Sequence, residues 1–282
     1  MAYADLLLTA LTYPDATPDR AVRSGVALAK RIGGAATFLA VQVDLPKLHN
    51  PLANALIKLD KLSELEEARS RATAQLESTC ARIAADIAHE SLRTEILVAR
   101  LYEEADAVAR AARTRDLTLV PIGPAVLADR DLAETVLFGS GRPVIVYPEA
   151  AEIAPADRFD TIAIAWDGGA AAARAVSDAL PLLAKAREVR IFIALGDKPQ
   201  AVKGAGHELV RHLAAHGVQA GVDERLAHDQ STGHRLADYV DTTRPDLLVM
   251  GGYGHARLRE FVLGGATDAM LEAPPCPVLM SH

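Results

Sequence analysis

The sequence predicts an α/β protein of two tandem, doubly wound domains, each a five-stranded parallel sheet flanked by helices. Three observations lead there. Short Val/Ile/Leu-rich runs alternate with longer amphipathic stretches, the signature of β-α repeats. The same series of landmarks is written twice along 282 residues, enough for two ordinary domains. Finally, half the residues are apolar but only 4% are aromatic, so Ala, Leu and Val must fill the core. That suits helices laid on a sheet better than a β-sandwich.

The duplication carries the domain assignment. "DLLLTALTYP" (Asp5 to Pro14) resembles "DTIAIAWDGG" (Asp160 to Gly169), and each is followed by an Ala-rich stretch containing "RAV". A second apolar run ends at Asp44 in one half and at Asp197 in the other. "DLTLVPIG" (Asp116 to Gly123) answers "DLLVMGGYG" (Asp246 to Gly254), and the Pro-led strands "RPVIVYP" and "CPVLMSH" close the two halves. Matched landmarks in one order mark an internal repeat. Residues 1–148 and 159–282 form the two domains, with "EAAEIAPADR" (149–158) as linker.

Taken in order, the second half predicts strands near 160–166, 189–195, 219–226, 246–250 and 277–280. Helices fall near 170–187, 200–216, 231–243 and 264–273. Runs apolar on both faces are strands buried on both sides, hence parallel and covered by right-handed crossovers. The first half follows the same plan. It adds an excursion, Leu45 to Leu62, before the charged helix "SELEEARSRATAQLESTCARIAADIA", whose i,i+4 charge pairs suit an exposed face or a contact with a partner.

Composition excludes several classes. A net charge of -7 with both signs mixed argues against a nucleic-acid polyelectrolyte contact. Nothing approaches the roughly 20 apolar residues of a membrane span. "MAYADLLLTALTYP" lacks a basic leader and reads as a first strand, not a signal peptide. Two distant cysteines, Cys80 and Cys276, build neither a disulfide framework nor a metal clamp, so a reduced, cytoplasmic protein is expected. Cys276 in "PPCPV" reads as a small buried hydrophobe. In "HELVRHLAAH", His207 and His212 stand about 140° apart on a helix. His212 and His216 share a face but have no third ligand, so no metal site is assigned. The P-loop pattern and the GxGxxG fingerprint are both absent.

The chemistry concentrates in "LLVMGGYGHARLREFVLGGATDAML" (Leu247 to Leu271). Gly251 stands where a strand ends, and glycine there permits positive φ or a close backbone approach. Gly264 and Gly265 precede a helix start, whose free N–H groups and partial positive charge suit phosphate. Thr267 adds a hydroxyl. His255 reads equally as a phosphate contact and as a solvent-facing loop histidine. Arg257 and Arg259 read as solvated.

The spacing Gly251-x2-Gly254-x9-Gly264, with the closing "APPCPVLM", resembles the nucleotide motif of the universal stress protein family. The resemblance covers the chain as two tandem copies. It implies strand order 3-2-1-4-5 in each half and pairing of the two domains through their last strands, here Val144–Tyr147 and Val278–Ser281. It also implies adenine-nucleotide binding, ATP or ADP/AMP, with Mg²⁺ entering alongside the nucleotide. In family members that bind ATP, an acidic residue after strand one contacts the nucleoside and strand-two backbone contacts the base.

Carried onto this chain, these contacts fall on Asp167 with Ala165 and Trp166, and on Leu195. The phosphate cradle falls on Gly251, Gly254, Gly264, Gly265 and Ala266, with Met250 leading in and His255 and Thr267 beside it. The family's Ser/Thr after the last motif glycine is Gly265 here. Asp167 reads also as a helix cap. The first half departs further: Thr12 aligns with Asp167, Pro121 with Gly251 and Pro124 with Gly254, and proline has no N–H to offer a phosphate.

The resulting expectation is a nucleotide-holding regulatory module of the stress-response kind, with unknown protein partners and further pairing of chains into a homodimer. The alternatives are an interaction module without nucleotide and a slow ATPase, for which Asp167 alone is thin support.

Overall fold

The computed structural model describes residues 2–12, 16–44, 59–123, 127–195, 203–226, 232–252 and 265–282. The first half runs β1 (Asp5–Leu11), α1 (Asp19–Ile32), β2 (Ala35–Asp44), α2 (Leu59–Ile87), β3 (Leu92–Arg100), α3 (Glu104–Ala112), β4 (Leu117–Ile122), α4 (Leu127–Gly139) and β5 (Val144–Pro148). The second runs β6 (Thr161–Ala165), α5 (Ala170–Leu183), β7 (Glu188–Leu195), α6 (Gly206–Ala215), β8 (Ala220–Leu226), α7 (Thr232–Thr243), β9 (Leu247–Gly251), α8 (Gly265–Glu272) and β10 (Val278–Ser281).

The ten strands form one sheet in the order β3-β2-β1-β4-β5-β10-β9-β6-β7-β8. Each half therefore has the doubly wound order 3-2-1-4-5. All pairings within a half are parallel, and the halves meet through an antiparallel β5–β10 pair, Val146 opposite Val278, Ile145 opposite Leu279 and Val144 opposite Met280. The last strands of the two halves do the joining, as the family resemblance implied. Because β5 and β10 run oppositely, the carboxyl edges of the two half-sheets face opposite ways.

Alternation along the buried strands feeds two cores, one on each face. Leu6, Leu8, Phe38, Leu117, Ile162, Ile164, Ile191 and Val249 point to one side, where α1, α2 and α5 cover them. Leu7, Val41, Val120, Ala163, Phe192, Leu248 and Val278 point to the other, under α3, α4, α7 and α8. Both cores run across the seam between halves.

The duplication is visible as a repeated polar device. Asp116 Oδ2 accepts the N–H groups of Ala4 and Asp5 at 2.8 and 3.0 Å. Asp246 Oδ2 accepts those of Asp160 and Thr161 at the same distances. Each aspartate opens its half's fourth strand and ties down the start of the first.

This register corrects one alignment. Leu6 pairs with Leu117 and Ile162 with Leu247, so Asp5 answers Thr161, not Asp160, and Leu11, not Thr12, answers Asp167. A slip of one residue exchanges the faces of a strand. The matching of Pro121 to Gly251 stands, since Pro121 pairs with Tyr147 as Gly251 pairs with Ser281.

Candidate functional site

In an open α/β sheet, ligands sit outside the carboxyl ends of the strands where strand order reverses. In the second half that point lies between β6 and β9. Chain leaving β6 crosses through α5 to β7 on one side, while β9 lies on the other. Ala165 pairs with both Phe192 and Met250, so the ends of β6, β7 and β9 share one level. Asp167, Leu195 and Gly251 rim the same edge, and α8 starts there. Of the sequence-predicted residues, Ala165, Trp166, Asp167, Leu195, Met250, Gly251, Gly265, Ala266 and Thr267 are described; Gly254, His255 and Gly264 lie outside the described residues, as do Pro124, Arg257 and Arg259.

Local geometry at Asp167 follows from the two glycines after it. Gly168 has φ 71°, a conformation open to glycine at little cost. That turn brings the N–H of Gly169 to Asp167 Oδ1 at 2.8 Å. Gly169 is the N-cap of α5, with no side-chain cap of its own. Asp167 thus steadies the entry to α5, and its half-buried carboxyl stays at the crevice rim. Trp166 is anchored by its N–H to the Phe192 carbonyl at 2.9 Å and packs against the core. Beneath, Phe192 stacks on Tyr239 with centroids 4.5 Å apart. The Tyr239 hydroxyl donates to Asp223 at 2.7 Å, and burial raises the phenol's pKa well above its ordinary value.

Gly251 is glycine for a reason the sequence did not show. Its φ is not positive. A Cβ there would lie 2.5 Å from the Ala172 nitrogen and 2.6 Å from the Ala171 carbonyl carbon. The missing side chain lets α5's first turn press onto the end of β9. Gly252 is likewise committed: its N–H donates to the Ser281 carbonyl at 2.8 Å. A Cβ there would sit 2.7 Å from Leu137 Cδ2, on α4 of the other half. His282 Nδ1 lies 3.1 Å from the Gly252 carbonyl, and its ring meets Phe138 edge-on at 4.8 Å. The first half therefore helps build this end of the second half's crevice, which no sequence motif announced.

Gly265 is different. It is exposed, and a Cβ built on it meets nothing within 4 Å among the described residues. Open space at a helix start, beside amides that lack intrahelical partners, fits an anion. Ala266 is half-buried and Thr267 buried. Arg130 of the first half reaches Asp268 in the same turn at 2.9 Å.

The corresponding edge of the first half is built otherwise. Pro121 holds the Gly251 position, and the N–H of Gly123 just beyond it donates to Asp129 Oδ2 at 2.9 Å. An internal carboxylate occupies that strand-end amide. Burial pushes the Asp129 carboxyl up to about 6; the Gly123 bond opposes the rise and nearby Glu149 adds to it.

Elsewhere, Cys276 is buried, its thiol pushed up to about 12 by burial, and its S–H donates to the Pro277 carbonyl at 3.4 Å. A thiol so held is a weak nucleophile. His212 and His216 lie with ring centroids 4.9 Å apart. Among the described residues, no three His, Cys, Asp or Glu gather as a metal site, and no helix is long and apolar enough to cross a membrane.

Comparison with known proteins settles the lineage of this site. The profile of the universal stress protein family matches residues 158–282. The second half of the chain is a universal stress protein domain. The whole chain also resembles three solved structures, two of them described as universal stress proteins. A universal stress protein from Archaeoglobus fulgidus superposes with TM-score 0.67 at 17% identity, over 98% of this chain and 95% of its own. A putative universal stress protein from Pseudomonas aeruginosa gives 0.55 at 13%, over 99% and 93%. A functionally unknown protein from Pseudomonas aeruginosa gives 0.54 at 14%, over 99% and 92%. At such identities the likeness concerns the fold, and it extends that fold to the first half. No curated protein matches the chain.

Proposed function

We propose that this universal stress protein is a regulatory module that holds one adenine nucleotide, ATP or ADP/AMP, in its second half. What supports the reading is that the Asp167 turn, the end of β7 at Leu195, the end of β9 at Gly251 and the start of α8 all belong to the carboxyl edge of the second half-sheet. Asp167 faces the nucleoside hydroxyls, the β7 end offers backbone to the base, and amides at Gly251 and Gly265 receive phosphate. Gly254, His255, Gly264, Ala266 and Thr267 complete the cradle, and Mg²⁺ arrives with the nucleotide. Occupancy then alters the surface presented to protein partners, because a ligand shifts a protein toward the state it binds better.

A second reading, an interaction module without nucleotide, is favoured by two observations. Gly265 brings no hydroxyl, and the Gly252 amide is already bonded to Ser281. A thermal-shift series with ATP, ADP and AMP separates the two, since a ligand of the native state raises apparent stability by mass action. A rise with at least one nucleotide, lost in Asp167→Ala, supports the first reading; an unmoved melting curve supports the second. ADP accumulating in the ATP samples would make the protein a slow ATPase.

A further inference from the structure

We propose that the outer edge of β3 is a self-association surface, on which a second copy of the chain lays its own β3 antiparallel about a twofold axis at Leu97. Among the described residues β3 is the terminal strand of the sheet, nine residues long, with six of them exposed. Its inner side is fully used. The Ala36 N–H donates to the Ser91 carbonyl at 3.1 Å, and the Leu101 N–H to the Asp44 carbonyl at 3.2 Å. Odd-numbered residues of β3 therefore turn their main-chain groups toward β2. By the strand's period of two, Leu92, Thr94, Ile96, Val98 and Arg100 turn theirs outward. That row of donors and acceptors is a template for strand addition.

The two ends of the sheet are not alike. At the far end, β8 carries Asp223, Glu224 and Arg225 in succession, the charged blunting that edge strands commonly show. β3 spreads its three charges over Arg93, Glu95 and Arg100 and places Ile96 and Val98, 48% and 62% exposed, side by side on one face.

The exposed Ile96 and Val98 pair with those of a second copy across a twofold, and the strand's charges discriminate between registers. A twofold at Leu97 sets Ile96 against Val98 twice, Thr94 against Arg100 and Glu95 against Ala99, so no like charges meet. A twofold at Glu95 would oppose two carboxylates, each drawn to its own chain's Arg115, and would leave Ile96 facing Thr94. One at Val98 would face Ile96 with Arg100. In the Leu97 register, Ile96–Val98 and Thr94–Arg100 exchange main-chain hydrogen bonds in both halves of the pair. Leu97 faces its own copy as a non-hydrogen-bonded pair, with Cα atoms about 4.5 Å apart. Four branched side chains, two from each copy, form an apolar patch on one face.

The test uses the full chain. Analytical ultracentrifugation over a concentration series should show a monomer–dimer equilibrium that Val98→Lys abolishes and Leu226→Lys, on the opposite edge, leaves in place. The register is read by disulfide trapping. Leu97→Cys should cross-link with its copy under mild oxidation, since that spacing suits a disulfide, while Glu95→Cys should not. A monomer at every concentration overturns the proposal. So does a dimer insensitive to Val98→Lys, or one in which Glu95→Cys traps as readily as Leu97→Cys.

Discussion

Arg31 of the first half holds Asp246 of the second, with guanidinium Nη1 3.2 Å from carboxylate Oδ1. The same arginine donates to the Ala154 carbonyl at 2.9 Å and lies over the Phe159 ring, 5.3 Å from its centroid. Asp246 therefore does two jobs: one oxygen ties β9 to β6, the other clasps the neighbouring domain. Its first-half counterpart, Asp116, receives the backbone amides of Ala4 and Asp5. Asp246→Ala strands an Arg31 side chain that is 9% exposed and should cost about 2–4 kcal/mol. Asp116→Ala should cost about 1 kcal/mol. Urea denaturation of both variants checks the order.

The two crevice glycines should respond in opposite ways to added side chains. Gly251→Ala drives a Cβ into α5's backbone, which cannot rotate away, and should destabilise by about 1–3 kcal/mol. Gly265→Ser enters open space and offers the hydroxyl that the family motif carries at this position. A hydrogen bond to a charged group is worth about 1.5–3 kcal/mol, so nucleotide affinity should rise about tenfold or more. Calorimetric titration of Gly265→Ser against the parent chain measures it.

Asp129 gives the first half a pH signature. Its folded pKa, about 6, lies above the ordinary carboxyl value. The native state then holds a proton that the unfolded chain has released, so this group's contribution is fully present below the unfolded pKa. It is lost as pH rises through about 6. The shift corresponds to at most about 3 kcal/mol, and the half-buried position reduces it to about 1 kcal/mol. Asp129→Asn keeps an acceptor for the Gly123 N–H and removes the titration. Denaturation midpoints near pH 5 and near pH 8 should differ more for the parent chain than for the variant.

Much of the architecture was legible in the sequence because buried parallel strands leave continuous apolar runs, and glycine, proline and aspartate punctuate them. The strands of the second half fall within one or two residues of the observed β6 to β10. The slip at Asp5 shows the limit. Two strands that each seem to open with Asp can be aligned on that letter, yet the pairing of Asp116 and Asp246 with the preceding strands sets the true register. Arg31 and Leu137 were not legible, because each acts on the other half across the seam and no local pattern encodes that approach. Gly251 was found for a reason only partly its own. A strand-end glycine signals close approach by something, and here one such neighbour is α5's backbone. Asp129 carried a faint sign, an acidic residue in the first turn after a proline-interrupted glycine loop.

The central claim is tested most directly by isothermal titration of the whole chain with ATP, ADP and AMP, repeated with Asp167→Ala. The account predicts one nucleotide per chain for at least one of the three, with binding lost or greatly weakened in the variant while the variant still folds, its unliganded stability lowered by about 1 kcal/mol for the lost bond to Gly169. Two equivalent sites per chain, binding indifferent to Asp167, or no binding at all would contradict it.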